Sequence, residues 1–182
     1  MEVLEDLPFK FVSLNDEKIE VDVEENGKTY EENAIIKAEF FGRESGLPTI
    51  ADDSGIVVDA LKGELGVRTR RWGAGEQAND KEWLDFFLNR MSYESNRRAE
   101  FISVVAFYRS GEETITFRGE CVGEILDKPQ VELEPGIPLS AVFLPAGKRK
   151  VFSALTKHEK NDISHRGKAI KQCHDYLLKH YL

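Results

Sequence analysis

Two aspartates stand side by side in TIADDSGIVVDA, residues 49–60, with apolar β-formers before and after them. Neighbouring strand residues point to opposite faces, so at most one of Asp52 and Asp53 can face a given cleft. Asp, Ser and Gly are also turn formers, and an ordinary polar corner accounts for the stretch about as well as a site does. What favours a site is the company of other groups. Glu31 and Glu32 stand where a helix opens, and carboxylates at a helix start can hold a hard cation that keeps most of its waters. A capping box with Thr29 would explain Glu32 without any metal. Further along, Lys160, His165, Arg166 and Lys168 gather around a second helix start, where backbone N–H groups favour anions. Taken alone, that cluster reads as a positive helix surface, although arginine adds a planar fork that fits phosphate or a base edge. Carboxylates in one place and cations in another match the needs of phosphoanhydride cleavage. Metal and cations neutralise the phosphates while one carboxylate orients the attacking water.

Other chemistries lack their residues. Gly27-Lys28-Thr29 ends like a phosphate-binding P-loop, but Asp22 occupies the position that needs glycine. His158, His165, His174 and His180 make no HExxH pair, and no serine lies in a GxSxG elbow. Cys121 and Cys173 form no CxxC, which fits a reducing cytoplasm and speaks against a disulfide framework or structural zinc. A net charge of −8 disfavours nucleic acid as partner. Basic clusters at Arg68, Arg70 and Arg71, at Arg97 and Arg98, and at Lys148, Arg149 and Lys150 leave room for a small anion. With 182 residues, 41% of them hydrophobic, the chain suits one domain or two closely packed lobes, and no stretch is apolar for long enough to suggest a membrane partner.

These groups need elements to position them. Thr29 to about Arg43 reads as a helix, capped by Thr29 and Glu32 and stopped by Gly46 and Pro48. Thr49–Ala51 and Ile56–Leu61 read as short strands meeting at the Asp-Asp-Ser-Gly corner, with Asp52 supporting the turn. Asn79 to Met91 is a second helix, with Trp83, Leu84, Phe87, Leu88 and Met91 inside. Phe101–Tyr108 and Glu113–Ile125 alternate as strands of a hairpin around Gly111. Another strand is expected near Ser140–Leu144 and a closing helix over Ser164–Tyr181. Helices and strands interleave, which predicts an α/β protein with a mixed sheet.

The motifs TYEENAIIKA, ADDSGIVVDAL, GVRTRRWGAG and NDISHRGKA resemble, in this order and spacing, the Ham1/inosine triphosphatase family. RRAEFISVVAF and FRGECVGEI resemble its central hairpin, and the match runs from about Asn26 to Lys171. The resemblance implies a two-lobed, mixed-sheet domain over residues 1–182 with flanking helices, working as a cytoplasmic homodimer with Mg2+. The implied activity is hydrolysis of non-standard purine nucleoside triphosphates, such as ITP, dITP and XTP, to monophosphate and pyrophosphate. By position, Glu32 and Asp53 would hold the metal, and Asp53 would be the general base. Ser54 and Arg71 would meet the substrate, while Lys160, His165 and Arg166 would hold the nucleotide, the last two at the base edge. The chain departs from the pattern twice. Family members begin with a strand and a TxNxxK-type loop, absent here; MEVLEDLPFKFVSL reads as the helix and second strand that follow it. The base-stacking loop GFGYDPxF aligns with GIPLSAVF, putting Ile137 for the stacking phenylalanine, Ser140 for the aspartate, and Phe143 in a packing position. Stacking on an aromatic is worth about 1–3 kcal/mol, so an altered base preference is one expectation and a binder that has lost catalysis is another.

Overall fold

The first helix shows how caps set its ends. The computed structural model describes residues 2–62, 64–65, 72–75 and 77–182, and α1 runs over Tyr30–Ser45. Thr29 keeps an extended backbone and its hydroxyl accepts from the Glu32 N–H at 3.1 Å. Gly46 ends the helix with φ +69°, a left-handed value that a side chain would resist, and returns its N–H to the Gly42 carbonyl. Ala34, Ala38 and Gly42 recur every fourth residue and form the buried stripe.

β1 follows as one unbroken strand, Thr49–Val58. The expected corner at residues 52–55 does not exist. Aspartates disfavour strands in isolation, but here both carboxylates find partners outside the strand, and those contacts override turn propensity. α2, Asp80–Met91, begins with a complete capping box from Asn79 and Glu82 and buries Trp83, Leu84, Phe87 and Met91, as its periodicity predicts. β2, Arg98–Tyr108, and β3, Ile115–Ile125, are the expected hairpin strands. β4 is only Phe143–Pro145 and pairs antiparallel with the end of β3, Gly123 opposite Pro145 and Ile125 opposite Phe143. The strand expected from Ser140 starts late because Pro138–Ala141 form a 3-10 turn, led by a proline that has no N–H to give a ladder. The strand order is β1-β2-β3-β4, giving an α/β fold with antiparallel pairing among the described strands.

Two helices close the chain. α3, Lys157–Ile163, was not expected, although Thr156 and Glu159 make a complete capping box that the sequence displays. α4, His165–Tyr181, buries Ala169, Cys173 and Leu177 on one stripe. The N-terminal reading fares differently: Glu2–Leu4 is a single 3-10 turn, and no strand forms over residues 8–14. Phe9 and Phe11 are partly exposed and meet edge to face instead, because no neighbouring strand supplies a ladder there.

The chain divides into two compact units. The first comprises Met1–Ser54, Ser103–Gly119 and His165–Leu182, around a core of Leu4, Leu7, Val105, Phe107, Phe117, Ala169, Cys173 and Leu177. The second comprises Gly55–Ile102 and Glu120–Ser164, and its core includes Ile56, Val58, Leu84, Phe87, Met91, Ile125 and Phe143. Among the described residues, no helix is long and apolar enough to cross a membrane.

Candidate functional site

Asp53 is gripped by one face of α1. Asn33 and Lys37 lie four residues apart, so both project from the same side of that helix. Lys37 Nζ reaches Asp53 Oδ1 at 3.0 Å, and Asn33 Nδ2 donates to Oδ2 at 3.3 Å. Lys37 also pairs with Glu25 at 3.3 Å, and Asn33 Oδ1 accepts the Gly27 N–H at 2.8 Å. Asn33 is fully buried with both ends of its amide used, so it fixes the Asp53 carboxylate rather than merely touching it. Only 13% of the Asp53 side chain is exposed, yet a carboxylate has about four lone-pair sites and these two donors leave some for a water or a cation.

Only half of the expected capping box forms: the Thr29 hydroxyl accepts the Glu32 N–H, while the Glu32 side chain turns to the residue before the cap. Its Oε2 accepts the Lys28 N–H, and no hydrogen bond or ion pair joins it to Asp53. Among the described residues, no group of three or more His, Cys, Asp or Glu gathers as a metal site. A hard divalent cation does not need one, because one or two carboxylates suffice when waters and phosphate complete the shell. Asp53 and Glu32 each offer hard carboxylate oxygens, the donor type that a hard divalent cation takes.

The other face of β1 carries a second group. Asp52 and Ser54, two apart on the strand, share the face opposite Asp53. Asp52 Oδ2 accepts from Arg166 Nε at 2.8 Å, and Ser54 Oγ accepts from Arg166 Nη2 at 3.0 Å. Asp52 therefore supports no turn; it holds an arginine at the start of α4. Its neighbour His165 has a buried Nδ1. Burial, and then the positive charge of Arg166, push the His165 pKa down to about 4, against a smaller upward pull from Asp52. The ring is therefore neutral at pH 7, with one donor and one acceptor nitrogen.

That shift has a measurable sign. The folded value lies below the ordinary 6.5, so the unfolded chain binds more protons between the two. Stability from a neutral His165 is present above pH 6.5 and is lost as pH falls towards 4. Urea unfolding at pH 7 and pH 4 will show the wild type losing up to about 3 kcal/mol more than a His165→Gln variant. Equal losses in the two proteins would contradict the buried neutral ring.

The remaining candidates lie in the second unit. Lys160 Nζ sits 3.5 Å from Glu134 and 5.9 Å from the centre of the Phe152 ring. Ile137 is 44% exposed at the lip of the 3-10 turn. Ser140, in the aspartate's place of the aligned loop, is buried; its hydroxyl donates to the Ile137 carbonyl at 2.7 Å, and its own carbonyl accepts from Ser153. It shapes the turn that carries Ile137. Phe143 is fully buried, 4.6 Å from Phe101 edge to face, and packs as expected. Arg71 lies outside the described residues.

The structure thus brings Asp53 to Asn33 and Lys37, with Glu25 as the second partner of Lys37, and Arg166 to Asp52 and Ser54. Sequence reasoning missed Asn33 and Lys37. Their signal was present: an amide and a lysine four apart on a helix are suited to seat a buried carboxylate.

Comparison with known proteins points one way. The model of the Ham1 family matches residues 1–176. A dITP/XTP pyrophosphatase of Deinococcus deserti is 42% identical over 147 residues, covering 81% of this chain and 69% of that protein. A dITP/XTP pyrophosphatase of Geobacter sulfurreducens is 39% identical over 178 residues, covering 96% and 87%. The solved structure of the Staphylococcus aureus Ham1 protein superposes with a TM-score of 0.86 at 34% identity, over 98% of this chain and 90% of that one. A HAM1 protein from Coxiella burnetii gives 0.88 at 34% identity, with the same coverage. With fold, motifs and these matches in agreement, the chain belongs to the Ham1 family.

Proposed function

We propose that this chain hydrolyses nucleoside triphosphates bearing non-standard purines, releasing pyrophosphate and leaving the monophosphate. The names of its relatives support the reaction, and the seated Asp53 carboxylate is the observation that carries it on this chain. Asp53 takes a proton from a water whose oxygen bonds to the α-phosphorus. The bond from that phosphorus to the bridging oxygen breaks, and pyrophosphate leaves with the electron pair. Asn33 and Lys37 keep the carboxylate in one orientation, which is how positioning becomes rate. Magnesium, held by Glu32 and Asp53 when bound, would draw negative charge off the phosphate oxygens.

β1 stands at one end of the strand order among the described strands. A nucleotide lying along its outer edge would meet Asp53 from one face and Arg166 from the other. The neutral His165 and the donors of Arg166 then read the base edge, with Ser54 a further nucleotide contact; Lys160 and Arg71 enter as nucleotide contacts on the family resemblance alone. The exposed Ile137 lacks an aromatic face, which predicts weaker stacking and a shifted base preference. As the resemblance implies, the protein is one two-lobed domain and acts as a homodimer in the cytoplasm. Two buried, free cysteines suit that reducing compartment.

The test is a panel of dITP, ITP, XTP, dATP and dGTP with magnesium, followed by pyrophosphate release. Turnover that favours deaminated bases is expected. Tight nucleotide binding without pyrophosphate would instead favour a binder that has kept the fold.

A further inference from the structure

Arg166 is held on one edge only. Its Nε and Nη2 form one side of the guanidinium fork, and these two atoms are taken by Asp52 and Ser54. The opposite edge, Nη1 with the second Nη2 hydrogen, has no partner among the described residues. Such an edge presents donors alone. It matches two adjacent acceptors, such as O6 and N7 of a 6-oxopurine, and clashes with the donor that a 6-aminopurine carries at the same place.

We infer that Asp52 and Ser54 form a clamp that presets Arg166, making Asp52 a positioning residue for discrimination between 6-oxo and 6-amino purines. This rests on the reading of the chain as a nucleotide hydrolase. The clamp contributes little to stability, because 54% of the Arg166 side chain and 38% of the Asp52 side chain are exposed. Its role is to limit motion. A free arginine samples many rotamers and must be ordered when the base arrives, whereas a clamped one is partly ordered beforehand. The charge of Asp52 also balances a guanidinium that stands beside a neutral His165, so the pair presents direction more than net charge.

Asp52→Asn and Ser54→Ala test the clamp, with kcat and KM measured on dITP and on dATP. In Asp52→Asn, KM for dITP is expected to rise about 3- to 10-fold, the scale for ordering one long side chain. The dATP parameters should change little, so the dITP:dATP ratio of kcat/KM falls by the same factor. Ser54→Ala should move the ratio in the same direction by less, and Asp52→Glu should restore part of it. Adding Asp52→Asn to Arg166→Lys should change the ratio no further. In nitrogen-15 NMR of the wild type, the Arg166 Nε–H should exchange slowly, and in Asp52→Asn quickly. Equal losses on both nucleotides, a fall in kcat alone, or fast exchange in the wild type would overturn the clamp while leaving turnover intact. A wild type that hydrolyses neither nucleotide sinks the functional reading itself, and the specificity claim with it.

Discussion

Asp53→Asn lowers kcat for pyrophosphate release by about 10²- to 10⁴-fold, the usual contribution of a positioned general base. The substitution keeps shape and volume, and the new amide oxygen can still accept from Asn33 Nδ2, now at 3.3 Å from the carboxylate. What disappears is the negative charge that pairs with Lys37 and the ability to take a proton from water. Lys37 keeps its second partner, Glu25, so its ammonium is not left stranded. The fold should therefore survive with a loss of roughly 1–3 kcal/mol, the scale for removing one partner of a charged hydrogen bond. Pyrophosphate assays and urea unfolding on the same preparation separate the two effects. Near-wild-type turnover in a folded Asp53→Asn protein would remove Asp53 from the chemistry.

Gly119→Ala will give the largest loss of stability from one added methyl group in the first unit. A Cβ built at Gly119 falls 2.0 Å from the His165 carbonyl oxygen and 2.7 Å from the Ala169 N–H nitrogen. Both atoms belong to the backbone of α4, so no flexible side chain can swing aside. The helix must move off β3, and overpacking of this kind typically costs about 1–3 kcal/mol and sometimes more. The displaced turn begins with His165 and Arg166, so the variant should also bind dITP more weakly. Urea midpoints and KM measure the two consequences. A variant as stable as the wild type would mean that α4 does not lie so close to the strand.

Much of this was legible from residue patterns. α1 and α2 follow from a capping residue plus a buried stripe, and the β2–β3 hairpin from its alternating apolar residues. These are local signals, written within one element. Most of the errors were of another kind. Asp52 and Asp53 read as a corner because their strand-stabilising partners, Arg166 on α4 and Lys37 on α1, lie 114 and 16 residues away. The Ser140 hydroxyl is taken by the backbone of its own 3-10 turn, a bond that residue type alone does not display. α3 is the exception, since its capping box was local and simply passed unread. Of the candidate site, the acidic pair and the arginine were visible as residue types. Their pairing was not, because period-2 alternation shows only that Asp52 and Asp53 diverge, not what waits on each side.

The most direct test of the central claim is hydrolysis of dITP in water enriched in oxygen-18, with both products weighed by mass spectrometry. A water activated by Asp53 and delivered to the α-phosphorus places one heavy oxygen in the deoxyinosine monophosphate and none in the pyrophosphate. Label in the pyrophosphate, or release of inorganic phosphate with a labelled diphosphate product, would contradict that route.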